Sequence, residues 1–243
     1  MPNITRGLTI ALIFAAMTRL ATAGGPVQSL PKDGCWVKFF VDLEISGPDG
    51  VNGKHTGSWT ISSVGTKTVN AEKCRWIEIE EHIDQGDDGK PMTRWFKYLV
   101  REKDLKPGGD PLSNLIEYWH KDTFQTTTAT KSDNGFTMMP MYFRGTPKTA
   151  AAVAKPKRVF WQQGDFTIKK AEDQTQTIRA PDDSYRLIIR DVVWKKADIP
   201  FGAAALTSSV RLERAGFPTY TWVHRLSLTD HGTGAKSKIP EAK

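Results

Sequence analysis

The 243-residue chain is poor in cysteine, with two, and beyond its first residues it has no apolar run of the ~18 residues that a membrane-crossing helix needs. The first scarcity excludes a disulfide-dense scaffold and a cysteine-rich zinc centre, and the second excludes a polytopic membrane protein. Lys and Arg (34) outnumber Asp and Glu (27), yet no block of five or six like charges occurs. Basic residues repeatedly adjoin acidic ones, so the clustered basic stripe that nucleic acid demands is missing. A Gly-x-Ser-x-Gly elbow is absent as well, and Asp84, Asp87 and Asp88 lack the spacing and terminal Glu of a calcium loop. No catalytic residue, metal or cofactor is expected. An apolar content of 39% with 25% charged residues still suits one well-filled globular domain.

The N-terminus carries Arg6, the apolar stretch Leu8–Met17, and Ala21-Thr22-Ala23 before Gly24. A positive flank, a short apolar run and small residues at the last and third-last positions are what a secretory signal requires. Residues 1–23 are therefore expected to be a signal peptide and 24–243 a single domain, periplasmic or extracellular and without a transmembrane segment. The excess of Lys and Arg in that domain favours weak attraction to an anionic envelope surface. Export also permits disulfides, and the two cysteines allow one pairing, Cys35 with Cys74. Such a bridge would stabilise by roughly 4 kcal/mol in the loop-entropy picture; two separate buried thiols are the alternative.

Period-two apolar patterning dominates the chain from Trp36 onward. Strands are expected at 36–41, 57–64, 74–83, 92–101, 159–169, 185–194, 206–214 and 219–228, with β-type residues between 124 and 144. The strands at 74–83 and 92–101 should form a hairpin. Pairing Ile79 with Phe96 sets Ile77 opposite Tyr98, Ile83 opposite Met92, Glu78 opposite Lys97 and Glu81 opposite Arg94. One face is then largely apolar, while the other carries Trp76, Trp95 and Leu99 among charges. A three-residue turn at Ala215-Gly216-Phe217 likewise sets Leu212 against Tyr220 and Val210 against Trp222.

Asp110 followed by Pro111 is a helix-start signal, and Leu112, Leu115, Ile116 and Trp119 recur at helical spacing, which predicts a short helix over 111–120. The low-complexity stretch 145–157 reads as a flexible loop or lid, and the tail from Gly232 as solvated and mobile. The fold class is mainly β: a curved antiparallel sheet forming an open or partly closed barrel with one or two short helices.

Two phrases carry a resemblance. The stretch from Val64 through Asn70-Ala71-Glu72-Lys73-Cys74 to Ile79 resembles a phrase common in secreted bacterial β-rich proteins of planctomycete type, and Asp198-Ile-Pro-Phe-Gly202 before the last two strands is similar to those proteins too. The sequence departs from the phrase at Ala71, where the family has Gly, and Ala disfavours a turn with positive φ. More distantly the chain is similar to the bacterial lipoprotein-carrier half-barrels of the LolA and LolB type. That resemblance implies an open curved sheet with helices at its mouth, holding acyl chains.

Glu78, Glu80 and His82 alternate, so a strand would project all three to one face. Alternate residues lie ~6.8 Å apart, however, too far for Glu78 and His82 to share one ion easily, and a solvated face with cross-strand ion pairs is the reading. The eight tryptophans are the most suggestive feature. Most are expected to pack the core, but Trp59, Trp76, Trp95, Leu115, Trp119 and Trp222 are candidates to line an apolar concavity between sheet and helix. The function expected is non-catalytic binding of an apolar or amphipathic ligand, such as a lipid, or of an envelope component. The alternative is an interaction module with a solid core whose loops bind protein or glycan, and a hydrolase with scattered residues is the third reading.

Overall fold

The computed structural model describes residues 27, 29–85, 89–105, 115–122, 126–131, 152–153, 157–161, 164–168, 171–179, 185–214 and 216–239. The fold is an antiparallel sheet of 11 strands, open rather than closed into a barrel. The strands are β1 (Trp36–Gly47), β2 (Gly50–Val69), β3 (Glu72–Ile83), β4 (Met92–Arg101), β5 (Glu117–Asp122), β6 (Thr126–Lys131), β7 (Ala152–Val153), β10 (Ala171–Arg179), β11 (Tyr185–Lys195), β12 (Ala203–Arg214) and β13 (Tyr220–Gly232). Their order across the sheet is β6-β5-β4-β3-β2-β1-β13-β12-β11-β10-β7. A separate hairpin, β8 (Lys157–Trp161) with β9 (Gly164–Ile168), lies beside β13. Register shifts mark bulges at Thr229 of β13, at Val64 and Gly65 of β2 and at Ala204 of β12, and bulges bend strands and increase their twist.

Alternation builds the core. Val37, Phe39 and Val41 of β1, Trp59 and Ile61 of β2, Ile77 and Ile79 of β3, Phe96 and Tyr98 of β4, and Leu226 and Leu228 of β13 are buried on one face, the core face. Burying each such side chain contributes about 1.5–3 kcal/mol relative to leaving it exposed. The loop before β12 caps that face: Ile199 and Phe201 are buried, and Ser29 donates its N–H to the Phe201 carbonyl at 3.1 Å. Phe201 itself has φ 64°, a left-handed conformation held in place by its burial. The Asp198–Gly202 phrase thus serves as a plug. On the other face, the back face, Cys74, Trp76, Leu99, Trp119 and Ile239 form a second, smaller cluster.

Both expected registers hold, from Ile79 opposite Phe96 to Val210 opposite Trp222. Other expectations do not. The cysteines are not bridged. The Cys35 carbonyl meets Ser63 of β2, whereas Cys74 sits on β3 opposite Lys67. Two strand spacings of ~4.8 Å plus an offset along the strands exceed the reach of a disulfide. Cys74 is instead fully buried, its Sγ donating to the Glu72 carbonyl at 3.4 Å, and burial pushes its thiol up.

The helix over 111–120 is overturned in its second half, because residues 117–122 form β5, hydrogen-bonded to β4. Cross-strand pairing with an already formed hairpin outweighs a helical apolar spacing of only three turns. Residues 106–114 lie outside those described. The only helical turn among the described residues is a 3-10 turn, Glu102–Leu105. Of the tail Gly232–Lys238, expected to be solvated, Thr233, Gly234, Lys236, Ser237 and Lys238 are exposed, and Ile239 directly after it is fully buried. Of the expected loop 145–157, residues 145–151 and 154–156 lie outside the described set, while Ala152–Val153 pair with β10.

The β2–β3 connection is a two-residue turn in which Asn70 and Ala71 both adopt positive φ, 50° and 63°, with Val69 opposite Glu72. That backbone matches the right-handed twist of the flanking strands, and Ala accepts it at a cost of roughly 1–2 kcal/mol. Ala71→Gly is therefore expected to stabilise the protein by up to about 1 kcal/mol. Urea denaturation measures it, and an unchanged or lowered midpoint would contradict the turn.

Candidate ligand-binding cleft

Along β2 the positions facing the core side are Gly53, His55, Gly57, Trp59 and Ile61, as the register with β1 shows. Two of these carry no side chain. Leu43 and Ile45 of β1, which continue the buried row of Val37, Phe39 and Val41, are consequently left partly uncovered. The result is an open cleft of about 500 Å³ at the end of the sheet where the β1–β2 and β12–β13 hairpins turn. Val41, Leu43, Ile45, Trp59, Ile83 and Met92 give it apolar walls, and His55, His82, Gln85, Glu81, Arg94 and His224 add polar groups.

Gly57 has a second reason to be glycine. A Cβ there would lie 1.9 Å from the His82 carbonyl oxygen, so β2 and β3 can approach only with the side chain missing. Gly53 is different: a Cβ would meet His55 Nε2 at 3.6 Å and the Ile45 side chain at 3.9 Å, ordinary contacts with the cleft wall.

The polar floor is ordered. Glu81, 5% exposed, accepts a hydrogen bond from Trp59 Nε1 at 3.1 Å and another from Arg94 Nε at 2.8 Å. Arg94 is the cross-strand partner of Glu81, so the hairpin register itself creates the pair. A buried carboxylate needs this compensation, because an unpaired charge at such depth would be strongly destabilising. Around the floor, His55 donates Nδ1–H to the Gln85 carbonyl at 3.0 Å; on the back face, the His82 Nδ1 bonds with Thr93 Oγ1 at 3.0 Å. The His224 ring lies 6.4 Å from that of Trp59. Beyond the cleft, rings of Phe96, Tyr98, Tyr118 and His120 stack in sequence along β4 and β5, and burial pushes the Tyr118 phenol up to about 12.

The six residues singled out from the sequence divide between the two faces. Trp59 lines the cleft. Trp222 stands on the same face, opposite Ile45, with its ring 6.3 Å from that of Tyr220, and Leu115 packs against the main core. Trp76, Trp95 and Trp119 belong to the back face, packed in or against the smaller cluster, and no single concavity contains them together with Trp59. Trp119 sits on a strand opposite Lys97, not on a helix stripe.

Sequence reasoning missed Leu43, Ile45, His55, Met92 and His224. The signal for the first two was present, since Val41, Leu43 and Ile45 continue one alternation. Glu78, Glu80 and His82 share a face as expected, but Glu78 and Glu80 bond the C-terminal segment while His82 lies 3.5 Å from Asp84. Among the described residues no group of three or more His, Cys, Asp or Glu is placed to hold a metal ion. No helix of the described residues is long and apolar enough to cross a membrane. Comparison of the chain with protein-family models gives no match, and comparison with curated proteins gives none.

Glu81→Gln is expected to lower stability by about 1–3 kcal/mol, because Arg94 loses its countercharge in a half-buried setting. The double variant Glu81→Gln/Arg94→Met should recover part of that loss. Paired denaturation curves test this, and additive losses would contradict the coupling.

Proposed function

We propose that the chain is an exported, non-catalytic binding protein that holds an apolar or amphipathic ligand in the cleft between β1, β2, β3, β4 and β13. The observation that carries the reading is the cleft itself: about 500 Å³, apolar on its long walls and polar at one floor. Pockets of some 300–1,000 Å³ with mainly apolar walls and a few fixed polar groups are what small ligands use. The Trp59–Glu81–Arg94 cluster is held by its own hydrogen bonds and is placed to orient a ligand's polar end. Because Glu81 and Arg94 compensate one another, apolar burial along Leu43, Ile45, Ile83 and Met92 supplies most of the affinity.

The signal-like N-terminus supports export, and the basic excess supports weak association with an anionic envelope surface. An open antiparallel sheet is also what the resemblance to lipoprotein-carrier half-barrels implies. In an interaction module with a solid core the same cleft would stay empty of ligand.

Native mass spectrometry and solvent extraction of the purified protein are expected to show co-purified lipid, and an apolar dye is expected to bind and be displaced by that extract. Gly53→Leu, which places side-chain atoms against His55 and Ile45, should weaken dye binding at least tenfold, and Phe40→Ser on the back face should leave it unchanged. Equal binding by all three proteins would sink the cleft as the site.

A further inference from the structure

After β13 ends at Gly232, the chain turns at Gly234, with φ 86°, and Ala235 donates its N–H to the Gly34 carbonyl at 2.9 Å. It then crosses the back face of the β3–β4 hairpin. Glu78 and Lys97, cross-strand partners in that hairpin, are 4% and 2% exposed. Burying a carboxylate and an ammonium beside Trp76 and Leu99 is unfavourable unless both are hydrogen-bonded, and the C-terminal segment provides the bonds. Glu78 accepts from Ser237 Oγ at 2.6 Å, Lys238 N–H at 2.9 Å and Ile239 N–H at 3.3 Å. Lys97 Nζ donates to the Ile239 carbonyl at 2.9 Å and stands 4.7 Å from the centre of the Trp76 ring. The Ile239 side chain is fully buried among Cys74, Trp76, Leu99 and Trp119.

This is how a peptide is recognised. Main-chain N–H and C=O groups are bound by fixed charges, and one side chain fills a pocket that selects it. We propose that this groove is a peptide-binding site, filled in cis by residues 235–239, and that it takes the same segment from a second copy of this chain. The contacts come from the segment alone, so the groove reads it identically in cis and in trans. The connection through Thr233 and Gly234 is short, the circumstance in which segment exchange between copies is favoured. An emptied groove leaves Glu78 and Lys97 facing each other across the hairpin, able to neutralise one another while the segment is away. Nothing in the proposal depends on the cleft, which occupies the other face.

The test has two arms. A chain ending at Thr233 is titrated with the acetylated and amidated hexapeptide of residues 234–239, following tryptophan fluorescence. Saturable one-to-one binding is expected, weakened at least tenfold by Ile239→Asp in the peptide or Glu78→Gln in the protein. A shortened chain whose circular dichroism shows an intact sheet but which ignores the peptide would overturn the site. In the second arm, which does not require the shortened chain to fold, Thr233 and Gly234 are deleted from the full chain. Light scattering is expected to show a dimer that reverts to monomer on adding Ile239→Asp, and a monomer before that change would overturn exchange.

Discussion

The pairing of β3 with β4 is the constraint on which the rest of the structure depends. One register places two cross-strand charge pairs on opposite faces of a single hairpin. Glu81 with Arg94 faces the core side and forms the floor of the cleft; Glu78 with Lys97 faces the back and lies under the C-terminal segment. Period two makes this arrangement rigid, since a slip of one residue would exchange the faces of every side chain and strand both pairs among the wrong neighbours. Apolar residues on both sides of the same strands, Ile77 and Ile79 on one and Trp76 on the other, hold the register against such a slip.

Glycine shapes the rest. At Gly57 the approach of β2 to the His82 carbonyl leaves no room for a side chain, and at Gly53 the missing side chain opens the wall beside Ile45. The hollow therefore arises from an interruption of an otherwise regular inward row, with Trp59 and Ile61 continuing it into solid core. Two bulges in β2, at Asn52 and at Val64–Gly65, add local twist at positions where the sheet departs from even pairing.

Much of this was legible in the residues. Alternating Ile77, Ile79 and Ile83 against Tyr98, Phe96 and Met92 specified the hairpin, and Leu212 with Tyr220 specified the last one, because a strand's burial pattern has only two phases. Less legible were features decided by distant partners. β10 is rich in Glu, Asp, Gln and Thr, and its strand character comes from pairing with β11, not from apolar alternation. The 117–122 segment shows helical apolar spacing but is captured by the free edge of β4. The tail looked soluble because six of its seven residues from Thr233 are polar or small; its docking rests on one isoleucine and two buried charges far away in sequence. Tryptophans were visible as a set, but their division between faces follows from parity within each strand, which assigns Trp59 and Trp76 to opposite sides.

The two faces thus divide the labour of the sheet. The core side combines a packed interior with an open apolar hollow, and on the back side residues 235–239 cover the β3–β4 hairpin. The most direct measurement of the central claim is a crystal structure of the protein soaked with a fatty acid brominated near the middle of its chain, read from the anomalous signal of bromine. The account predicts a bromine peak in the cleft between Leu43 and Met92, with the carboxylate toward Arg94. A fully occupied peak elsewhere on the molecule, with the cleft filled only by water, would contradict it.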